Sequence, residues 1–251
     1  MIENRFVVIS PVYNTAPYIE KCIRSVLDQD YKNFELMVIE DYSNDGTREI
    51  IKKLHESVGG FNVHYNDSRL ESPIGNFVKG VQLSQGDKND ILVTVDGDDW
   101  LYSNDVLSYL NEVYQDPEVW LTYGQFVSAT GSIKNTSKLL RDTRNYRSNG
   151  TWVTSHLRTL KRGLFNKIND RDLRDKRNNY YVYYPDPAYM FPAIEMAGLK
   201  HIKFIDKVLY VYNDLSPLCS AHDWKNKNMD HVYAVSAEIR AKPVYDEIKE
   251  F

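Results

Sequence analysis

The chain has 251 residues, 42% of them hydrophobic and 26% charged, which is ordinary for one globular α/β domain with a buried core. The apolar run near the N-terminus is too short for a secretory signal, and no stretch approaches the roughly 20 apolar residues of a membrane span. Cys22 and Cys219 are far apart, so they indicate neither a disulfide framework nor a CxxC metal site and fit a reducing, cytoplasmic compartment.

The first 125 residues alternate apolar strands with helical patterns, an order typical of a mostly parallel sheet flanked by helices. Short loops join these elements, and the apolar residues of each helix recur at helical spacing. Strands are predicted at 6–10, 34–39, 61–65 and 91–95, and helices from about residue 17, at 47–54 and at 74–83.

The regular alternation weakens after residue 125. Residues 128–149 are polar and basic with little periodicity, so a long loop is expected there. Residues 152–165 are predicted to be helical, and residues 199–212 contain strand-like apolar runs. We therefore expect a nucleotide-binding α/β half at 1–125 and a variable half at 126–251, packed together as one globular unit.

The net charge of −4 is unevenly distributed. Residues 138–177 contain 12 Lys and Arg against 4 Asp, a local charge of +8, which leaves −12 for the rest of the chain. Such a segment is typical of a surface that binds an anionic partner, and equally of a solvated helical face. Nucleic acid is one such partner, although few aromatic residues beyond Tyr146 and Trp152 are interleaved with the basic ones.

Three carboxylates stand within four residues at Asp96-Gly97-Asp98-Asp99, directly after the predicted strand at 91–95. They repel one another, and a divalent cation between them removes that cost because hard cations prefer carboxylate oxygens. The carboxyl end of a strand is also where open α/β sheets bind ligands. The alternative is an acidic turn whose side chains lie in water.

Two further polar loops follow the first two predicted strands, and therefore lie at the same edge of the sheet. The first is the segment SPVYN, residues 10–14, and the second is EDYSNDGT, residues 40–47. Tyr13 could lie flat on a nucleobase, and Asp41 could accept a hydrogen bond from a base N–H. The second loop is also a good turn and helix start without any ligand.

These three motifs, in this order and at this spacing, closely resemble the family 2 glycosyltransferases with the GT-A fold. The resemblance covers roughly residues 5 to 125. It implies an α/β fold with a mostly parallel central sheet and a variable C-terminal acceptor region. It also implies an enzyme that transfers a sugar from a nucleotide-sugar donor, with Mn²⁺ or Mg²⁺ as cofactor.

The resemblance assigns nucleoside contacts to the first two loops. Pro11, Tyr13, Asn14 and Asp41 would hold the nucleoside, and Asp45 would support the loop.

The acidic motif and the loop after the third strand receive the remaining donor contacts. Asp96 would bind the ribose and Asp98 would be the principal metal ligand, at an ion that bridges the two phosphates of the donor. Arg69 lies where the family often places a base- or phosphate-contacting residue, although it could equally be a surface charge.

An inverting transfer needs a carboxylate that takes the proton from the acceptor hydroxyl. Family members commonly carry this base in an acidic pair at the start of a helix, and the matching position here is Asp186. Pro185 replaces the first acid of the pair. Asp186 could also act as a helix N-cap, followed by Pro187 at the first helical position. Glu195 is a reserve candidate that we expect to cap or to pair on a surface.

Three further residues in the second half are candidates by position. A late His often completes the metal shell in related enzymes, which makes His222 a candidate ligand, although a lone loop His is commonly a surface residue. His156 and Trp152 are expected at the border of the acceptor pocket, with core packing as the alternative for Trp152.

The resulting hypothesis is an inverting glycosyltransferase that uses a UDP-sugar in preference to a GDP- or dTDP-sugar, and this preference rests on family frequency alone. Its acceptor would be a hydroxyl of a glycan or of a protein- or lipid-linked sugar, with nucleic acid as the alternative through the basic segment at 138–177. A non-catalytic nucleotide-sugar-binding module is a further alternative, favoured by Pro185 and opposed by the complete acidic motif. A nucleotidyltransferase is more distant, because no Gly-rich basic loop follows the first strand. Membrane association through a partner stays possible.

Overall fold

The computed structural model describes residues 2–133, 135, 137–218 and 229–251. Within these ranges the chain forms an eight-stranded sheet with helices against it. The strands are β1 (Phe6–Val12), β2 (Phe34–Glu40), β3 (Asn62–Tyr65), β4 (Ile91–Thr94), β5 (Trp100–Leu101), β6 (Leu121–Ser128), β7 (Thr159–Lys161) and β8 (Ile202–Tyr212).

The order of the strands in the sheet is β3-β2-β1-β4-β7-β6-β8-β5. The first four are parallel to one another, and β7 runs antiparallel to both of its neighbours, β4 and β6. Strands β6 and β8 are parallel, and the short β5 is antiparallel to β8. The four strands predicted in the first half are confirmed with bounds that differ by one or two residues, and β8 confirms the strand-like run before residue 212.

The helices predicted in the first half are confirmed as α1, α2 and α3. In the described ranges no helix has the length and apolar character needed to cross a bilayer. The α-helices are α1 (Ile19–Leu27), α2 (Thr47–Ser57), α3 (Pro73–Leu83), α4 (Val106–Val113), α5 (Arg162–Phe165), α6 (Pro185–Ala197) and α7 (Asp230–Arg240).

Two apolar cores lie on opposite faces of the sheet, because successive side chains of a strand point to opposite sides. Val7 and Ile9 belong to the core that contains α3 and α6, whereas Phe6 and Val8 belong to the core that contains α1, α2 and α4. Residues 187–197 of α6 are all buried. A helix that is buried on every side is expected to be apolar all round, as this one largely is.

The helix predicted at 152–165 is wrong. Leu157, Leu160 and Leu164 have helical spacing, but the segment is extended and contains β7, and only the four residues of α5 are helical. The backbone of β7 pairs with β4 on one side and β6 on the other, and these tertiary hydrogen bonds outweigh the local pattern. The long loop expected from residue 128 is confirmed, since the described residues from 129 to 149 contain no helix or strand.

Candidate active site

A cavity of about 370 Å³ opens where β1, β2 and β4 end. The first residues of α6 and the residues that follow β8 also line it. Open α/β sheets bind their ligands at this edge. The predicted site residues that line the cavity are Pro11, Tyr13, Asp41, Arg69, Asp96, Asp98 and Asp186.

Two predicted site residues are not placed in the cavity. Asn14 lies beside it with a left-handed backbone (φ 50°), and its side-chain oxygen accepts from the backbone N–H of Asn44 at 3.0 Å. Its own N–H donates to Ser43 Oγ at 3.0 Å, so Asn14 joins the two polar loops. His222 lies outside the described residues.

The turn after β4 lies close against β1. The N–H of Gly97 donates to the carbonyl of Pro11 at 3.0 Å. A Cβ on Gly97 would lie 2.7 Å from Val12 Cγ2 and 3.1 Å from the Pro11 oxygen, so only glycine fits this approach. Proline has no N–H to donate to a neighbouring strand. Pro11 is tolerated inside β1 because β4, the strand on that side, has already ended at Thr94.

Asp99, the third carboxylate of the acidic motif, is directed into the interior. It is 2% exposed and accepts from the Tyr210 hydroxyl at 2.7 Å and from the Asn213 N–H at 2.7 Å. Burial raises the pKa of Asp99 well above its usual range, and the charges of Asp98 and Asp96 raise it further. The expectation of three carboxylates around one cation is therefore corrected, because Asp99 is already bound by protein donors.

Asp96 and Asp98 are only partly buried and line the cavity. Burial, together with the charges of Asp186 and Asp98, raises the pKa of Asp96 to about 7, although Arg158 acts to lower it. Burial also raises the pKa of Asp98, against a hydrogen bond from Ser216 that lowers it. This excess of negative charge would be relieved by a cation.

The donor set fits a hard divalent cation, since Asp96 and Asp98 both offer carboxylate oxygens to the cavity. The described residues contain no group of three His, Cys, Asp or Glu side chains that could enclose a metal ion. Asn213 Nδ2 also lines the cavity region and is buried without a partner in the described part of the chain, so it could donate to a ligand held there.

Asp41 organises one wall of the cavity. Its carboxylate is 2% exposed and accepts from Asn66 Nδ2 at 2.8 Å, from the Leu70 N–H at 2.7 Å and from the Glu71 N–H at 3.0 Å. These bonds fix the loop that carries Arg69. Asp41 therefore shapes the wall as well as facing the cavity.

Arg69 and Tyr13 lie against each other at the cavity, with the guanidinium carbon 3.5 Å from the centre of the tyrosine ring. Such a cation–π contact stabilises both side chains in one arrangement.

The carboxylate of Asp45 accepts from the N–H groups of Thr47 and Ala16, each at 3.0 Å, and so joins the loop after β1 to the start of α2.

Asp186 lies in the first turn of α6, at the cavity. The N-cap of α6 is Tyr184 and Pro185 is the first helical residue, so the interpretation of Asp186 as N-cap is wrong. Instead, Asp186 Oδ1 lies 2.8 Å from Arg158 Nη2, and 30% of the Asp186 side chain is exposed. Burial raises the pKa of Asp186, and the charge of Arg158 lowers it.

Of the other candidates in the second half of the chain, His156 lies at the cavity and Trp152 lies against the core. His156 lines the cavity, and burial together with Arg158 holds its pKa well below the usual range. Trp152 packs against the core, 6.1 Å from the Tyr146 ring and 5.7 Å from the Phe191 ring between centres, so core packing describes it.

Glu195 is not on a surface, contrary to expectation. It is 4% exposed, and its two oxygens accept from Arg147 Nε and Nη2, each at 2.7 Å. The N–H of Tyr245 donates to it at 3.1 Å. These contacts place Glu195 in a buried structural pair outside the cavity.

A family model described as "Glycosyl transferase family 2" matches residues 7–173. The chain belongs to this family. The match extends beyond the three motifs and includes β7 and the Arg158 region, and the GT-A fold inferred from the sequence is confirmed.

Relatives of this chain are similar over short segments. It is 41% identical to glycosyltransferase GlyA of Streptococcus pneumoniae over 56 residues. This aligned segment covers 22% of this chain and 8% of that protein. The chain is 30% identical over 96 residues to GalNAc(5)-diNAcBac-PP-undecaprenol beta-1,3-glucosyltransferase of Campylobacter jejuni, which covers 38% of this chain and 30% of that protein. The chain thus spans less than one third of the length of either relative.

Solved structures share the fold more completely. S. aureus TarS in complex with UDP-GlcNAc matches with a TM-score of 0.63 at 19% identity, over 86% of this chain and 60% of that one. The mannosyltransferase PcManGT of Pyrobaculum calidifontis, in complex with GDP-Man and Mn²⁺, matches with a TM-score of 0.63 at 20% identity, over 97% of this chain and 66% of that one.

Four residues that support the acidic side chains of the cavity belong to no motif and were not predicted from the sequence. Arg158, Tyr210 and Asn213 contact acidic residues directly, and Tyr189 accepts a hydrogen bond from Arg158. Each is distant in sequence from the residue it supports, so no local spacing could have revealed it.

Proposed function

We propose that this chain is an inverting glycosyltransferase that moves a sugar from a nucleotide-sugar donor to a hydroxyl of a glycan-type acceptor. The observation that carries the proposal is the position of Asp186. It lines the same cavity as Asp96, Asp98 and Asp41. The candidate base therefore lines the same cavity as the candidate metal ligands and as Asp41, the candidate nucleoside contact.

In the proposed reaction, the acceptor oxygen attacks the anomeric carbon of the donor sugar. The bond between that carbon and the diphosphate oxygen breaks, and its electron pair stays with the diphosphate. The proton of the acceptor hydroxyl passes to the Asp186 carboxylate as the new bond forms. Attack from the face opposite the leaving group inverts the anomeric configuration.

Asp98 and Asp96 are the residues that would hold Mn²⁺ or Mg²⁺, with Asp98 as the principal ligand. When bound, the cation would stabilise the negative charge that develops on the leaving diphosphate. Support comes from the two carboxylates exposed in the cavity and from the Mn²⁺ in the structural neighbour PcManGT. We propose a UDP-sugar as donor on the basis of family frequency, since TarS is in complex with UDP-GlcNAc and PcManGT with GDP-Man.

A glycan acceptor is favoured over nucleic acid, because several arginines of the basic segment at 138–177 are engaged inside the protein. Arg147 pairs with Glu195 and Arg158 pairs with Asp186, and both arginines are buried. Arg162 donates to the backbone carbonyl of Val81 at 2.8 Å and is buried. Three of the twelve cationic side chains of the segment are therefore buried and not available to phosphates.

Asp186→Asn tests the proposal directly. The substitution keeps the shape of the side chain but removes its basicity, so kcat should fall by about 100-fold or more while donor and Mn²⁺ binding stay nearly unchanged. Asp170→Asn, a carboxylate outside the cavity, is the matched control and should keep the parental kcat. Parental kcat in Asp186→Asn would overturn the assignment of the base, and intact donor binding without any turnover in the parent would favour a binding module.

A further inference from the structure

We propose that Arg158 is a positioning residue for the transfer reaction, which fixes the Asp186 carboxylate in place at the cavity. The inference rests on the proposed function, because it takes Asp186 as the base. It adds a residue that lies outside the three sequence motifs and acts through another side chain.

Arg158 is among the largest fully buried side chains of the described structure, at 2% exposure. A buried guanidinium is costly unless each of its N–H groups meets an acceptor. Its Nη2 lies 2.8 Å from Asp186 Oδ1 and 3.2 Å from His156 Nδ1, and its Nε donates to the Tyr189 hydroxyl at 3.2 Å. These three partners hold the guanidinium in one place, and its position in turn sets that of the Asp186 carboxylate.

The surrounding charges explain why a cation is needed at this place. Asp96 and Asp186 repel each other, and Arg158 favours the ionised form of both. His156 accepts from Arg158 only in its neutral form, and burial holds the pKa of His156 well below its usual range. Arg158 is therefore the cation next to Asp186, and without it a carboxylate in this environment would be protonated more readily.

Arg158 is also linked to the turn after β4. The His156 ring stacks on the Tyr210 ring, with centres 4.4 Å apart and an angle of 9° between planes. The Tyr210 hydroxyl donates to Asp99 at 2.7 Å. A chain of buried contacts thus connects the base candidate to the acidic turn that carries the metal-ligand candidates.

The test is a double-mutant cycle with Arg158→Met and Asp186→Asn, read as UDP release from the UDP-sugar that most raises the Tm with MnCl2. We expect Arg158→Met to lower kcat by about 10–100-fold, the range typical for removing a group that orients a functional side chain, with little change in donor KM. Adding Arg158→Met to Asp186→Asn should lower kcat no further, because a residue that acts through Asp186 has no effect once the base is gone.

Arg158→Lys keeps the charge and should recover part of the kcat, and it replaces Arg158→Met in the cycle if circular dichroism shows that the methionine variant does not fold. Arg147→Lys is the matched control, since Arg147 is an equally buried arginine in an ion pair outside the cavity. It should lower Tm and leave kcat unchanged.

The outcomes separate this inference from the proposed function. Parental kcat in Asp186→Asn would overturn the base assignment, and the role of Arg158 with it. If Asp186→Asn is slow but Arg158→Met keeps the parental kcat, or if the two losses multiply in the double variant, only the inference about Arg158 fails.

Discussion

The Tyr210 hydroxyl donates to Asp99 Oδ2 at 2.7 Å and accepts from the backbone N–H of Asp96 at 3.2 Å. Tyr210 belongs to β8, whereas both acidic residues follow β4, and β7 and β6 lie between these strands in the sheet. One phenol therefore holds both ends of the acidic turn. It directs Asp99 into the interior and leaves Asp96 and Asp98 at the cavity.

Tyr210→Phe removes both of these hydrogen bonds without changing the shape of the ring. The buried Asp99 carboxylate then loses a donor, so we expect unfolding free energy to fall by about 1–3 kcal/mol. Donor binding in the presence of Mn²⁺ should weaken as well, because the turn is less well fixed. Urea denaturation and calorimetry measure the two effects.

Tyr31→Phe is the control for this prediction. The Tyr31 hydroxyl donates to the Asn4 carbonyl at 2.6 Å and, unlike Tyr210, contacts no residue of the acidic turn. It should reduce stability and leave donor binding unchanged. Equal donor affinity in Tyr210→Phe and the parent would show that the tyrosine serves stability alone.

Asp98→Asn should remove most of the Mn²⁺-dependent part of donor affinity. Burial raises the pKa of Asp98, so its ionised form is disfavoured without a cation, and the neutral amide should leave stability equal or slightly higher. Titration of a UDP-sugar with MnCl2 and then with EDTA measures the metal-dependent part. Asp105→Asn, at a surface pair with Lys207, is the control, and unchanged metal dependence in Asp98→Asn would exclude Asp98 as the principal ligand.

Asp41→Ala should affect both nucleotide binding and the loop at 66–71. Three donors lose their acceptor, so we expect a loss of about 1–3 kcal/mol in unfolding free energy and a weaker affinity for UDP. Exchange of the Leu70 and Glu71 amide protons should become faster, which hydrogen exchange measures. Slow exchange with normal UDP affinity would mean that the loop holds its shape without Asp41.

Glu195→Gln should destabilise the fold by about 3–5 kcal/mol, because the buried Arg147 loses the charge that compensates its own. Catalysis in the folded variant should be unchanged, since Glu195 is not among the cavity residues. Thermal denaturation and kcat under stabilising conditions separate the two effects. A stable variant with reduced kcat would return Glu195 to the candidate bases.

The elements that the sequence predicts well are those with strong local patterns. Strands β1, β2 and β4 are continuous apolar runs, and the helices between them carry apolar residues at helical spacing. Strand β7 has no such signal. Its partners, Leu92 of β4 and Leu121 of β6, lie far from Leu160 in the sequence, and the local spacing of leucines favours a helix instead.

In the candidate site, too, the residues that belong to local motifs are predicted, and those that depend on distant partners are not. The motifs place Asp41, Asp96 and Asp98 at one edge because strand ends meet there. The motifs cannot show that Asp99 is directed into the interior while Asp98 lines the cavity. Asp99 is held there by Tyr210, which lies more than a hundred residues later in the sequence. Arg158 is missed for the same reason, because a single arginine in a basic segment gives no sign that it is buried.

The three residues of β7 determine when β4 and β6 can become parts of one sheet during synthesis. Until residue 161 leaves the ribosome, β4 has no neighbour on that side, and its backbone groups offer a template for pairing with other chains. Strand β7 connects β4 to β6 by pairing with both. These pairings are contacts between residues far apart in the sequence, and such contacts form slowly. The nascent first half therefore carries an unpaired strand edge until β7 has been synthesised.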